Sequence, residues 1–249
     1  MAVFQMTTVK VMQDVLRETI KFSTESAVLF QFNSKSKLAA YSMGIYCTLI
    51  ELSDSFQTLM ESKNYTGSLS IYRSFIENYV DLKNLQLDPY YVYQLDYGSY
   101  LQELRLLKAA AKDNPYLSSI SQYADEKLPS ISVEIDKLKE NEDYKLCYSI
   151  KDKFSRANMV DEYEGLYPTL SAESHCSLDA IFSRHFNVDP TTGCVEISIN
   201  DKCNSKDYHF YIANLTNYLI TAGIVVANIM EGQQLDMYVR KKEQVLDVL

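Results

Sequence analysis

Residues 210–230 pass without one charged side chain. A run of that length either crosses a bilayer or threads the core of a helical protein. Four polar residues decide between these. Asn214, Asn217, Thr221 and Asn228 recur at three-, four- and seven-residue steps, which places them along one face of a helix. Leu215, Leu219, Ile220, Val225, Val226 and Ile229 occupy the rest of its circumference. Three asparagine amides facing lipid would be costly, whereas on a partly wet face they are ordinary. The segment is therefore expected to be a core helix, with no membrane involved.

A core helix needs neighbours of comparable length, and the chain supplies them. Seven Gly and five Pro in 249 residues leave few places to turn. Helical spacing of apolar residues predicts helices over 3–26, 37–62, 68–87, 90–112 and 118–141, the last interrupted at Pro129, and a shorter one over 148–159. Breaks fall at Asn64 to Gly67, at Asp88-Pro89 and at Asn114-Pro115. Pro168 opens a further helix that runs to about His185, with Tyr167 as its candidate cap. Over 188–204 the texture changes to Asp189-Pro190, Thr191-Thr192-Gly193 and the alternating run Val195 to Ile199, which reads as a short hairpin. Helices resume at 206–230 and continue towards 248 after a weak point at Gly232. The expected fold is all-α: one multi-helix bundle domain over 1–249, with a core at 37–186, C-terminal helices at 206–248 and a small β-hairpin-like insertion near 188–204.

A net charge of −9 repels phosphate backbones over most of the surface, so DNA is not an expected partner and RNA could be held only at a local site. A protein partner or a homodimer suits the acidic surface and its 20 tyrosines, of which Tyr90, Tyr91, Tyr93, Tyr97 and Tyr100 are the run expected to be most exposed, with core packing the expected fate of most. Cys47, Cys147, Cys176, Cys194 and Cys203 are odd in number and form no CxxC, which suits reduced thiols in the cytoplasm. Met1 to Lys10 lacks the basic start and apolar run of an export signal. Phosphate-binding glycine loops, HExxH and GxSxG are missing, and the only histidines are His175, His185 and His209. No metal and no cofactor is implied.

Two stretches rise above this background. In Tyr72-Arg73-Ser74-Phe75-Ile76-Glu77, Arg73 and Glu77 are one turn apart on a helix whose other faces are apolar, with Asp81 one turn further. That setting predicts a partly buried pair, and a guanidinium so held has donors left for a second partner. In Tyr167-Pro168-Thr169-Leu170-Ser171-Ala172-Glu173-Ser174-His175, Ser171 and His175 share a face that Asp179 continues. A hydroxyl, an imidazole and a carboxylate in one row resemble a relay, but the members of a hydrolase triad come from separate elements. A histidine bonding its helical neighbours is the plainer reading.

Together, Arg73-Ser74-x-x-Glu77 and Tyr167-x-x-Leu170-Ser171-x-x-x-His175, in this order and separation, resemble a family of uncharacterised bacterial helical proteins, over roughly residues 37–186. That family looks distantly similar to HEPN proteins, helical bundles that include metal-independent ribonucleases of toxin–antitoxin and phage-defence systems. The resemblance implies RNA cleavage or RNA binding, with Arg73, Glu77, Tyr167, Ser171 and His175 as the candidate catalytic set. HEPN ribonucleases carry their arginine and histidine on one helix. Here no histidine follows Arg73 at that spacing, and Arg184-His185 are adjacent and diverge. An Arg–His pair in this chain has to be assembled in space from Arg73 and His175. The alternative is a non-catalytic interaction module in which the same residues form a polar network fixing helix register.

Overall fold

The computed structural model describes residues 2–33, 35–112, 114–175, 177–199 and 205–249. Five long helices come first: α1 (Ala2–Ala27), α2 (Lys37–Glu61), α3 (Tyr65–Leu87), α4 (Val92–Ala110) and α5 (Ser118–Lys139). Four short ones follow: α6 (Ile150–Arg156), α7 (Val160–Gly165), α8 (Tyr167–Ser174) and α9 (Leu178–His185). An antiparallel hairpin of β1 (Phe186–Val188) and β2 (Val195–Ile197) leads to α10 (Ser205–Ile229) and α11 (Leu235–Leu246). The fold is all-α with a small hairpin insertion, as the spacing predicted.

Side-chain caps set many of the boundaries. Ser36 accepts from the Ala39 amide at the start of α2, and Asn64 accepts from the Gly67 amide at 3.0 Å at the start of α3. Asp88-Pro89 and Asn114-Pro115 each open a one-turn 3₁₀ helix whose first amide is capped by the preceding Asp or Asn. Replacing Asn64 with Ala should lower unfolding free energy by about 1 kcal/mol. Urea titration checks this, and an unchanged midpoint would show that the amide is satisfied without the cap.

The helix α10 runs through the main core. Ile212, Leu215, Leu219, Ile220 and Val226 are fully buried, and α1, α2, α3 and α11 pack around them. Asn214, Asn217 and Thr221 lie half-buried and Asn228 exposed, along the polar stripe. Tyr208–Ile229 is long and apolar enough to cross a membrane, at mean hydropathy 1.5, yet 61% of its apolar window is buried inside the protein. It is a core helix. The other central element is α3, with Tyr72, Phe75, Ile76, Val80 and Leu82 fully buried. A second apolar cluster fills the space between the end of α3, α4 and α5 (Leu85, Tyr91, Leu107, Ala124, Ile135), and Ile45 and Ile229 pack against both. In the tyrosine run only Tyr90 is exposed beyond half; Tyr91 and Tyr97 are buried, so this run is mostly core.

The structure departs from the sequence reading in four places. Pro129 does not interrupt α5, because Pro129 and Asp125, whose carbonyl it frees, both face water. The helix expected from Pro168 to His185 is two helices, since Ser177 caps Ala180 and restarts the chain as α9. Tyr167 is not the cap of α8 but its first residue, with Leu166 before it. The hairpin begins at Phe186 and not 188, and residues 200–204 of the expected insertion lie outside the described residues. Gly232, at φ 84°, does separate α10 from α11. Cys47, Cys147 and Cys194 are free thiols; Cys176 and Cys203 lie outside the described residues.

Candidate functional site

The helix α3 is amphipathic around a narrow polar edge, and on that edge Arg73 and Glu77 sit one turn apart. Arg73 Nε donates to Glu77 Oε1 at 3.0 Å, with side chains 20% and 37% exposed. This is the half-buried pair that the apolar flanks predicted. Packed over it is α8, held by Leu170, whose side chain is fully buried in the main core.

Two residues of that segment complete the cluster. The Tyr167 ring lies 5.3 Å from the guanidinium carbon, within cation–π range, and its hydroxyl accepts from Arg73 Nη2 at 3.1 Å. The same hydroxyl donates to Glu77 Oε1 at 2.8 Å. The Tyr167 ring stacks on Tyr163 and meets Phe154, which fixes where its hydroxyl points. His175, the exposed residue that ends α8, brings Nε2 to 2.6 Å from Arg73 Nη1. The helix break is what allows this, since His175 leaves the helical path after its amide bonds Ser171 O at 3.0 Å. A guanidinium has no acceptor, so in this contact Nε2 accepts, which requires the tautomer that carries its proton on Nδ1.

Ordinary electrostatics hold the arrangement. Partial burial disfavours the Arg73 cation, but the Tyr167 hydrogen bond and the Glu77 carboxylate outweigh it and its pKa rises. Burial, and then the bond to Glu77, push the Tyr167 hydroxyl up, against the pull of Arg73. Arg73 spends three of five N–H donors on Glu77, Tyr167 and His175. Two are left unused by these bonds.

Of the five residues singled out by their motifs, four converge: Arg73, Glu77, Tyr167 and His175. Ser171 does not join them. It is half-buried, and its carbonyl accepts from the His175 amide. Asp179 lies on α9, across the helix break, so the Ser171–His175–Asp179 row does not exist. Asp81 turns away to Lys153 Nζ at 3.0 Å and to the Tyr91 hydroxyl at 2.5 Å. The sequence reading weighed Arg184 only beside His185 and missed that it spans the break. It reaches Glu173 Oε2 at 3.4 Å and the Thr66 hydroxyl at 2.9 Å, bracing α8 and α9 against the start of α3. The only signal was one arginine eleven residues after a glutamate, which has no periodic meaning once the helix breaks. Among the described residues no group of carboxylates, histidines and cysteines could hold a metal ion.

Fold and site define an all-helical protein with a solvent-facing Arg–Tyr–Glu–His cluster on two packed helices. The model of one family, described as a family of unknown function (DUF5677), matches residues 39–192, and the chain belongs to that family. The matched span contains α3, α8 and every residue of the cluster. No curated protein and no solved structure matches the chain.

Proposed function

We propose that the cluster is a phosphodiester site and that the chain is a metal-independent, HEPN-like RNA-cleaving protein acting in the cytoplasm, of the kind that serves toxin–antitoxin or phage-defence systems. The observation that carries this reading is the 2.6 Å contact between Arg73 Nη1 and an exposed His175 Nε2. Arginine and histidine arrive from different helices and still meet where solvent reaches both. Two free guanidinium donors would hold the non-bridging oxygens of a phosphate. A neighbouring 2′-hydroxyl would displace Arg73 Nη1 from the His175 Nε2 lone pair, which would then take the hydroxyl proton. The 2′-oxygen bonds to phosphorus, the bond to the 5′-oxygen breaks, and that oxygen takes its proton from water. Glu77 and Tyr167 position Arg73 throughout.

Purified protein should shorten a single-stranded RNA without added metal, and His175→Ala should remove that activity while leaving the melting temperature within about 2 °C, since the ring is exposed. Equal cleavage by both proteins would end the catalytic reading.

A second reading has its own observation, the threefold engagement of Arg73 by α3 and α8. In that case the cluster is a polar clamp setting how α8 lies on α3, in a protein-interaction module. No RNA cleavage by the wild type, together with a melting point lowered by several degrees in both His175→Ala and Arg73→Ala, would favour the clamp.

A further inference from the structure

The helices α3 and α10 run parallel and in step. Tyr72 meets Tyr211 at 5.5 Å and, seven residues on in both helices, Tyr79 meets Tyr218 at 4.8 Å. One turn further along this seam stand Lys83 on α3 and Thr221 on α10. The Thr221 hydroxyl accepts from Lys242 Nζ of α11 at 3.0 Å, so three helices bring two lysines to one corner. Lys83 Nζ donates to Gln86 Oε1 at 3.2 Å.

What this corner lacks is a carboxylate. The chain has 33 acidic residues, yet none lies three or four positions from either lysine on its own helix, where a pairing partner would stand. Among the described residues neither ammonium forms an ion pair. Glu162 reaches the seam a turn earlier, but it accepts from the Tyr218 hydroxyl at 3.1 Å and meets neither lysine. Both lysines are half-buried. Burial, and then the charge of Lys242, lower the pKa of Lys83. Two half-buried like charges with no counter-charge weaken the fold until an anion joins them.

We propose that the Lys83–Lys242 corner binds a phosphomonoester dianion, either free phosphate or the terminal group of a small phosphorylated molecule such as a nucleotide. One such group carries close to two negative charges near neutral pH and neutralises both lysines at once. Chloride, a carboxylate or an internal RNA phosphate carries one and leaves a cation unbalanced. The amide nitrogen of Gln86, unused in the bond to Lys83, adds a neutral donor beside the two charges. Ten residues along α3, about 15 Å, separate this corner from Arg73, so it is a second anion site and stands whether or not the first one cleaves RNA.

Melting of the full chain in about 10 mM inorganic phosphate, or about 10 mM adenosine 5′-monophosphate, against chloride of equal ionic strength tests the proposal. The wild type should gain about 4 °C in phosphate, the shift expected for a dissociation constant near 1 mM. An equal gain with the nucleotide assigns the site to phosphorylated small molecules, and a gain with phosphate alone assigns it to the free ion. Arg73→Ala should gain as much as the wild type, whereas Lys83→Met and Lys242→Met should each gain less than about 1 °C. In chloride Lys83→Met should melt no lower than the wild type, because an unbalanced charge has been removed. No gain in the wild type, a full gain in either lysine variant, or a gain lost in Arg73→Ala would overturn the proposal. So would a Lys83→Met protein that melts several degrees lower in chloride. A gain produced in Arg73→Ala by an RNA with 5′-hydroxyl ends would overturn it too, by making the corner a contact for the RNA backbone.

Discussion

Gly223→Ala should unfold at markedly lower denaturant than the wild type, with a loss of about 3 kcal/mol or more. Alanine is the better helix former, so propensity alone would favour the change by about 1 kcal/mol. Space decides otherwise. A Cβ at position 223 would stand 2.1 Å from Tyr238 Cε1 and 2.3 Å from Cδ1. The ring has nowhere to go. Tyr238 is fully buried, flanked by Phe22 at 5.3 Å and Phe30 at 5.9 Å, and its hydroxyl meets that of Tyr46 at 3.1 Å. Either α11 lifts from α10 or the ring leaves its rotamer. In a Tyr238→Leu background the same alanine should cost much less, because the colliding ring edge is gone, and a double-mutant cycle measures that coupling. Gly223→Ala within about 1 kcal/mol of the wild type would show that α11 yields easily.

Arg73→Ala should reduce RNA cleavage by about 10²- to 10³-fold, the usual effect of removing a positioned donor to a developing negative charge. Arg73→Lys should not restore it. An ammonium can follow the charge but cannot bond Glu77, Tyr167 and His175 in three fixed directions and still have two donors to spare. The effect on stability should be small, about 1 kcal/mol, because the Glu77 carboxylate is more than a third exposed and water replaces much of the lost contact. Rates under single turnover and urea midpoints separate the two effects. Full activity in Arg73→Ala would remove the residue from the chemistry, and a stability loss of several kcal/mol would mark the cluster as the clamp.

The architecture could be read from residues wherever the local signal and the tertiary outcome agree. Asn64, Asp88-Pro89 and Asn114-Pro115 end or start helices by bonding adjacent amides, so the chemistry is complete within four residues of sequence. The asparagine stripe of α10 worked for the same reason, since one period encodes one face. The break before Ser177 was not legible. Neither glycine nor proline marks it, and a serine caps a helix only if the preceding turn has already stopped. The same limit governs the site. Arg73 and Glu77 could be paired by spacing, and Arg73 with His175 by the need for a partner, but Tyr167 as the hydroxyl between Arg73 and Glu77 depends on Tyr163 and Phe154 aiming its ring. Ser171 looked equivalent to His175 only while both were placed on one unbroken helix.

The place of α10 in the core has a consequence during synthesis. The helices α1, α2 and α3 all bury apolar side chains against it, and the contact that locks α11 joins Tyr46 to Tyr238 across 192 residues. Tyr72 meets Tyr211 of α10 at 5.5 Å, so that flank of its ring stays wet until α10 emerges from the ribosome, at about 5–20 residues per second. The matched span ends at residue 192, before α10, so the part that holds the Arg–His cluster leaves the ribosome ahead of the helix that completes its core. The core beneath the cluster is therefore complete only once α10 has arrived, more than a hundred residues after Arg73 has been made.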